Sequence, residues 1–172
     1  MSSENPVVIM LVGLPGSGKT TWAKENLPHF IRISTDDHVM QKCRETGMYY
    51  QKGIQIFYEE ADRLARQALS SAIERGENVV IDQANLTRNS REKKLANFPD
   101  TYTRIACFFD TPFDLLLERN EARQQAGEHY VPALALYQLA ENLESPYEPA
   151  FDEVVEIPFA PTPQPVRAKI NG

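Results

Sequence analysis

Cysteine is scarce in this sequence: Cys43 and Cys107 are the only two in 172 residues. Two thiols make no disulfide framework, so a reducing, cytoplasmic setting is the expectation. Packing alone must then hold the fold, and a domain of about 150 residues, burying roughly 70% of its unfolded surface, can manage that. Histidine is sparse too (His29, His38, His129), and neither the histidines nor the cysteines show metal-ligand spacing. No structural zinc is expected. No apolar run approaches the ~18–20 residues that cross a bilayer. The first one, Val7 to Val12, follows no basic stretch and reads as neither anchor nor signal peptide. Cationic excess is missing as well: 18 Lys and Arg face 24 Asp and Glu, a net charge of −6. Proteins that grip a long duplex through its phosphates carry a basic face, so that class is disfavoured. A few nucleotides on a local patch remain compatible. Arg88, Arg91, Lys93 and Lys94, opposed by Glu92, form one such run, or else a solvated helix face.

What is present is a phosphate-binding signature. Gly13-Leu14-Pro15-Gly16-Ser17-Gly18-Lys19-Thr20 fits G-x-x-x-x-G-K-[ST] and directly follows Val7–Val12. Strand, glycine-rich turn, then helix start is the geometry that aims backbone N–H groups at a triphosphate. The dipole of the following helix adds positive potential at the same point. In this reading Gly13, Pro15, Gly16, Ser17, Gly18, Lys19, Thr20 and Thr21 cradle ATP. Lys19 reaches the β- and γ-phosphates, and the Thr20 hydroxyl ligates Mg²⁺.

Beyond the motif, strand and helix patterns alternate, which predicts an α/β fold: a parallel sheet of four or five strands, helices on both faces, and a helical lid. Strands are expected near Val7–Val12, Phe30–Ile33, Asn78–Asp82, Arg104–Phe109 and Val154–Ile157. Ser34-Thr35-Asp36-Asp37 has the S-x-x-D form of a helix start. The longest helix is expected over 53–75, its apolar stripe running Ile54, Phe57, Ala61, Leu64, Ala65, Ala68, Ala72. Thr111-Pro112-Phe113-Asp114 reads as a cap, a proline at the first helical position, and an acid in the first turn. Residues 124–130 look like a mobile crossover flexing at Gly127, with a further helix over Pro132–Leu143. One domain over 1–160 is expected, followed by a proline-rich tail over 161–172.

Ligands of open parallel sheets bind beyond the carboxyl ends of the strands. That rule gathers the phosphate loop, Ser34–Asp37, Asp82–Thr87 and Asp110-Thr111. A phosphotransferase needs a carboxylate to orient the attacking hydroxyl and take its proton. Asp36 is the candidate, with Asp37 beside it as the alternative. Asp82 resembles an acid that helps hold Mg²⁺, and Asp110 ends a strand in the same way. Asn85 either bonds the substrate or shapes its loop. Arg119 and Arg123, four apart on one helix face, are placed to swing onto the triphosphate as a lid closes.

Taken together, GLPGSGKTTWA from Gly13, STDD from Ser34, IDQANLTRNSR from Ile81, and Arg119-Asn120-Glu121-Ala122-Arg123 followed by Val131-Pro132 resemble the kinase domain of polynucleotide 5′-hydroxyl kinases. The stretches Leu143–Pro146 and Phe151–Phe159 are similar to the end of that domain. The resemblance implies transfer of the ATP γ-phosphate to a 5′-hydroxyl end of DNA or RNA. Asp36 would be the general base, Lys19 and Arg123 catalytic, Arg119 and Arg123 on the nucleotide, and Asp82 and Asn85 in the loop beside the acceptor; Asp37 and Arg88 are further acceptor-side candidates. One departure bears on the acceptor: the family usually has an arginine three residues after the base, and here that position is Val39. A nucleoside, sugar or sugar-nucleotide acceptor is the alternative, and a non-catalytic ATP-binding switch is the third.

Overall fold

Strand β1 (Val7–Gly13) is buried along nearly its whole length, which only a central strand of a sheet covered on both faces allows. The computed structural model describes residues 4–160, so the tail expected over 161–172 lies outside the described residues. In it β1 lies between β3 (Val79–Ile81) and β4 (Thr103–Phe109), with β2 (Ile31–Ile33) and β5 (Glu153–Glu156) at the edges. The order is β2-β3-β1-β4-β5 and every pairing is parallel. Side chains alternate between the faces of a strand. Val8, Met10 and Val12 therefore meet one helical layer: α3 (Tyr50–Glu74) through Ala65, Leu69 and Ala72, and α4 (Arg88–Leu95) through Leu95. Ile9 and Leu11 meet the other layer, where α1 (Lys19–Asn26) inserts Ala23 and Trp22. Each such aliphatic side chain stabilises the fold by about 1.5–3 kcal/mol when buried.

Two expectations about helices need correction. Ala68 is exposed, and Leu69 takes its place against the core, because α3 turns its stripe by one residue as it leaves α2 (Thr35–Thr46) for the sheet. Thr111 does not cap α5 (Phe113–Gln125). Pro112 occupies the N-cap with extended backbone, and the Thr111 hydroxyl is buried without a partner. The Ser34 cap is as expected, its hydroxyl accepting from the Asp37 N–H at 3.2 Å. Thr87 caps α4 in the same way through Ser90. The last helix, α6 (Ala133–Glu141), closes over the phosphate loop: Leu14 packs with Leu116 of α5 and Leu136 of α6.

Candidate active site

The loop between β1 and α1 keeps its shape by steric necessity. A Cβ on Gly13 would sit 2.9 Å from both the Phe109 Cβ and the Ser17 Oγ, so only glycine lets β1 and β4 lie this close. Gly16 and Gly18 take φ of 85° and 93°, left-handed backbone that glycine adopts without cost, and α1 starts directly after Gly18. Lys19 Nζ lies against the loop, donating to the Gly13 and Leu14 carbonyls at 2.8 and 2.9 Å. Burial lowers its pKa to about 8, against the opposing pull of Asp82 and then Asp36. Arg123 lowers it further, so the guanidinium and both carboxylates share the electrostatic field of Lys19.

Asp82, at the exit of β3, accepts from the Thr20 hydroxyl at 2.8 Å and from Arg32 at 2.7 Å. It is 6% exposed. These bonds set it beside Thr20 at the start of α1. A hydroxyl and a carboxylate at the mouth of a phosphate loop are hard oxygen donors, and Mg²⁺ is usually held by one or two such groups plus phosphate oxygens. Among the described residues no group of three or more His, Cys, Asp or Glu is gathered, as that mode of holding Mg²⁺ permits. The Thr20–Asp82 pair fits the ion.

The two aspartates of α2 take different partners. Asp37 pairs with Arg32, which bridges it to Asp82. Asp36 is exposed, its Oδ1 accepts from the Tyr50 hydroxyl at 2.5 Å, and its charge is felt by Lys19. Burial and then the bond to Asp36 raise the Tyr50 pKa, so the phenol keeps its proton. Tyr50 stacks on His129 with ring centroids 3.6 Å apart. Burial lowers the His129 pKa and favours the neutral ring. Beside this stack lies a cavity of about 670 Å³, walled by Met40, Arg44, Met48, Tyr49, Arg123 and Glu128. The 124–130 crossover thus supplies one wall, with Gly127 at a φ of 71°. A side-chain clasp between Asn120 and the main chain of Val131 closes its base. Arg119 donates to the Gly16 carbonyl at 2.9 Å, which sets it on the phosphate loop itself.

Arg32, Tyr50 and His129 escape the sequence reading. Each sits outside any motif, and only the fold brings it to Asp82 or Asp36. Two expected site residues are not brought there. Asn85 is 3% exposed at a φ of 51°, and its amide donates to the carbonyls of Leu11 (2.7 Å), Gln83 and Ile81. It shapes the loop. The Arg88 guanidinium is taken by Glu92 at 2.8 Å, and its N–H by Glu144 at 2.6 Å. Nor do its neighbours make a basic face: Arg91 is fully buried and Lys94 turns inward to Asn85 at 2.6 Å.

The AAA domain family (AAA_33) matches residues 8–146, the span from β1 through the segment after α6. The chain belongs to that family. Its fold is that of the P-loop kinases, and a nucleotide is the ligand such a loop implies. Heterogeneous nuclear ribonucleoprotein U-like protein 2 of Homo sapiens is 25% identical over 151 residues, 83% of this chain and 20% of that protein. The chain therefore spans about a fifth of the curated relatives it matches. A chain of the Pnkp1/Rnl/Hen1 RNA repair complex superposes with a TM-score of 0.66 at 23% identity, covering 83% of this chain and 45% of that one. A gluconokinase from Sinorhizobium meliloti 1021 does so with 0.57 at 20%, covering 94% and 86%. At these identities the superpositions speak for the fold. Among the described residues of this AAA_33 domain, no helix is long and apolar enough to cross a membrane.

Proposed function

We propose that this domain transfers the γ-phosphate of ATP to the 5′-hydroxyl end of a nucleic-acid strand. The observation that carries the reading is Asp36: a carboxylate at the rim of the cleft, within the field of Lys19 and held by Tyr50 beside an aromatic-walled cavity. The acceptor oxygen attacks the γ-phosphorus, the bond from that phosphorus to the β–γ bridging oxygen breaks, and ADP leaves. Asp36 takes the hydroxyl proton on its free oxygen while Tyr50 holds the other. Lys19, Arg119 and Arg123 offset the charge spread over the transferred group. Mg²⁺, when bound at Thr20 and Asp82, would neutralise phosphate charge. Tyr49 and the Tyr50–His129 stack offer faces to a terminal base, since base–aromatic stacking is worth about 1–3 kcal/mol per base. Arg44, one helical turn and a residue beyond Val39, supplies a cation to the same cavity. A relative named as a ribonucleoprotein and a fold neighbour from an RNA repair complex support this acceptor.

A second reading keeps the transfer and makes the acceptor a sugar or nucleoside. Two observations favour it: Val39 is fully buried where the family's arginine would stand, and the 88–94 run offers no basic rim. Labelled ATP with a 5′-hydroxyl oligonucleotide, set against a panel of sugars and nucleosides, separates the two. Label on the oligonucleotide is the expected result. Label confined to a metabolite selects the second reading, and none anywhere from folded protein rejects both.

A further inference from the structure

A second cavity lies away from the active-site cleft. It is set between α3 and α4, where a space of about 520 Å³ opens over the ends of β2 and β3. Its floor is apolar: Ile33, Ile81, Ala65, Leu69 and Ile73. Lys94 enters from α4. We propose that this cavity binds a small amphipathic anion, a carboxylate with an apolar body, with the Lys94 ammonium at its head.

Lys94 carries the argument. It is half-buried, and an ammonium drawn partly out of water is normally matched by a carboxylate, because desolvation of an unmatched charge is costly. Here its hydrogen-bond partner is an uncharged amide oxygen, Asn85 Oδ1 at 2.6 Å, and among the described residues no carboxylate reaches ion-pair distance of it. The other charged groups facing the space leave it unmatched. Asp62 is paired with Arg66 at 2.6 Å, Glu74 accepts from Ser70 at 3.4 Å, and Lys93 adds a further cation. Burial accordingly lowers the Lys94 pKa to about 8, with the pull of Asp62 against it. An ammonium has three donors and Lys94 uses one, which leaves two for an anionic head. The volume lies within the ~300–1,000 Å³ range of small-molecule sites.

The inner end of the cavity is wired to the cleft. Gln83 lines it and donates to the Thr35 hydroxyl at 2.8 Å, next to Asp36. Asn85, which Lys94 holds, bonds the main chain of β1, and Ala84 between them accepts from the Gly13 N–H at 3.2 Å. An anion that shares Lys94 with Asn85 therefore acts on the loop whose hydrogen bonds reach both the phosphate loop and the α2 start. The site stands whichever acceptor the domain uses.

Octanoate is the probe, titrated into the full chain and followed by calorimetry and amide NMR. One site is expected, with shifts at the α3–α4 lining and at residues 83–86. Lys94→Met should weaken binding at least tenfold and Lys94→Arg should retain it. Affinity should fall roughly tenfold per pH unit above about 8, as the ammonium loses its proton. Leu69→Trp fills the space without touching the charge and should abolish binding, which guards against a Lys94 variant that fails to fold. Absence of binding, or a Kd unchanged by Lys94→Met, by Leu69→Trp or by raising the pH, would overturn the proposal.

Discussion

Arg91 tests whether the basic run on α4 is a surface or a strut. Its guanidinium is fully buried, and it donates to both oxygens of Glu148 at 3.0 Å. It also donates to the carbonyls of Asn85, Leu86, Glu144 and Ser145 at 2.9–3.2 Å. Arg91→Met keeps the apolar stem and deletes every one of these bonds. Glu148, its side chain 3% exposed, keeps only the Arg88 guanidinium at 3.9 Å. Breaking one side of such a pair costs about 3–5 kcal/mol, since the remaining charge stays desolvated. At about 2–4 °C per kcal/mol for a chain of this size, Tm should fall by about 6–20 °C in a thermal melt. Exposed Lys93→Ala is the control, expected within about 0.5 kcal/mol of wild type. A melt unchanged by Arg91→Met, with weakened oligonucleotide binding instead, would refute the reasoning and restore the run as a nucleic-acid patch.

Asp36→Asn keeps the oxygen that Tyr50 bonds and removes the charge. Turnover should fall about 10²–10⁴-fold while ATP affinity is held, and a collapse of ATP affinity in a binding assay would move Asp36 to the metal side. Tyr50→Phe deletes the 2.5 Å bond to Asp36. At about 1.5–3 kcal/mol for a bond to a charged group, kcat should drop tenfold or more with the ATP KM unchanged. An altered ATP KM would place Tyr50 elsewhere. With its pKa lowered to about 8, Lys19 is charged below that pH and neutral above it. In the free enzyme kcat/KM for ATP should therefore decline above pH 8, while kcat, measured with phosphates holding the proton, declines at higher pH. Lys19→Arg, which stays charged, should remove that limb from whatever activity survives.

The parts of the fold and site that were legible in the sequence are those fixed by local chemistry. The phosphate loop is steric and contiguous, so Gly13 to Thr20 could be placed from eight letters. Ser34 could be placed because a cap bonds three residues ahead. The strands could be placed because burial on both faces leaves unbroken apolar runs. What was illegible depends on partners far away in sequence. Asn85 looks like a ligand residue until the fold sets it under Leu11. Arg91 and Lys94 look like surface charge until α4 turns them toward Glu148 and Asn85. Thr111 fails as a cap because Pro112 fixes the extended backbone one residue later, a choice between two local signals that sequence cannot rank.

Arg32 shows what such long-range placement does to the chemistry. It pairs at once with Asp37 and, at 2.7 Å, with Asp82, so a single β2 side chain ties the start of α2 to the phosphate side of the cleft. Two adjacent aspartates in α2 would otherwise compete for one hydroxyl. By committing Asp37 to Arg32, the fold leaves Asp36 as the carboxylate free to turn toward Tyr50 and the cavity. Arg32→Met should therefore do more than loosen β2. It frees Asp37 and leaves Asp82 with the Thr20 hydroxyl alone, so Mg²⁺ affinity should shift along with turnover. In Arg32→Met, Asp36→Asn should also become less damaging, because Asp37 can then substitute. A double-mutant cycle measures that coupling. If the two substitutions are simply additive in log kcat, Asp37 was never a rival base and the arginine serves the sheet edge alone.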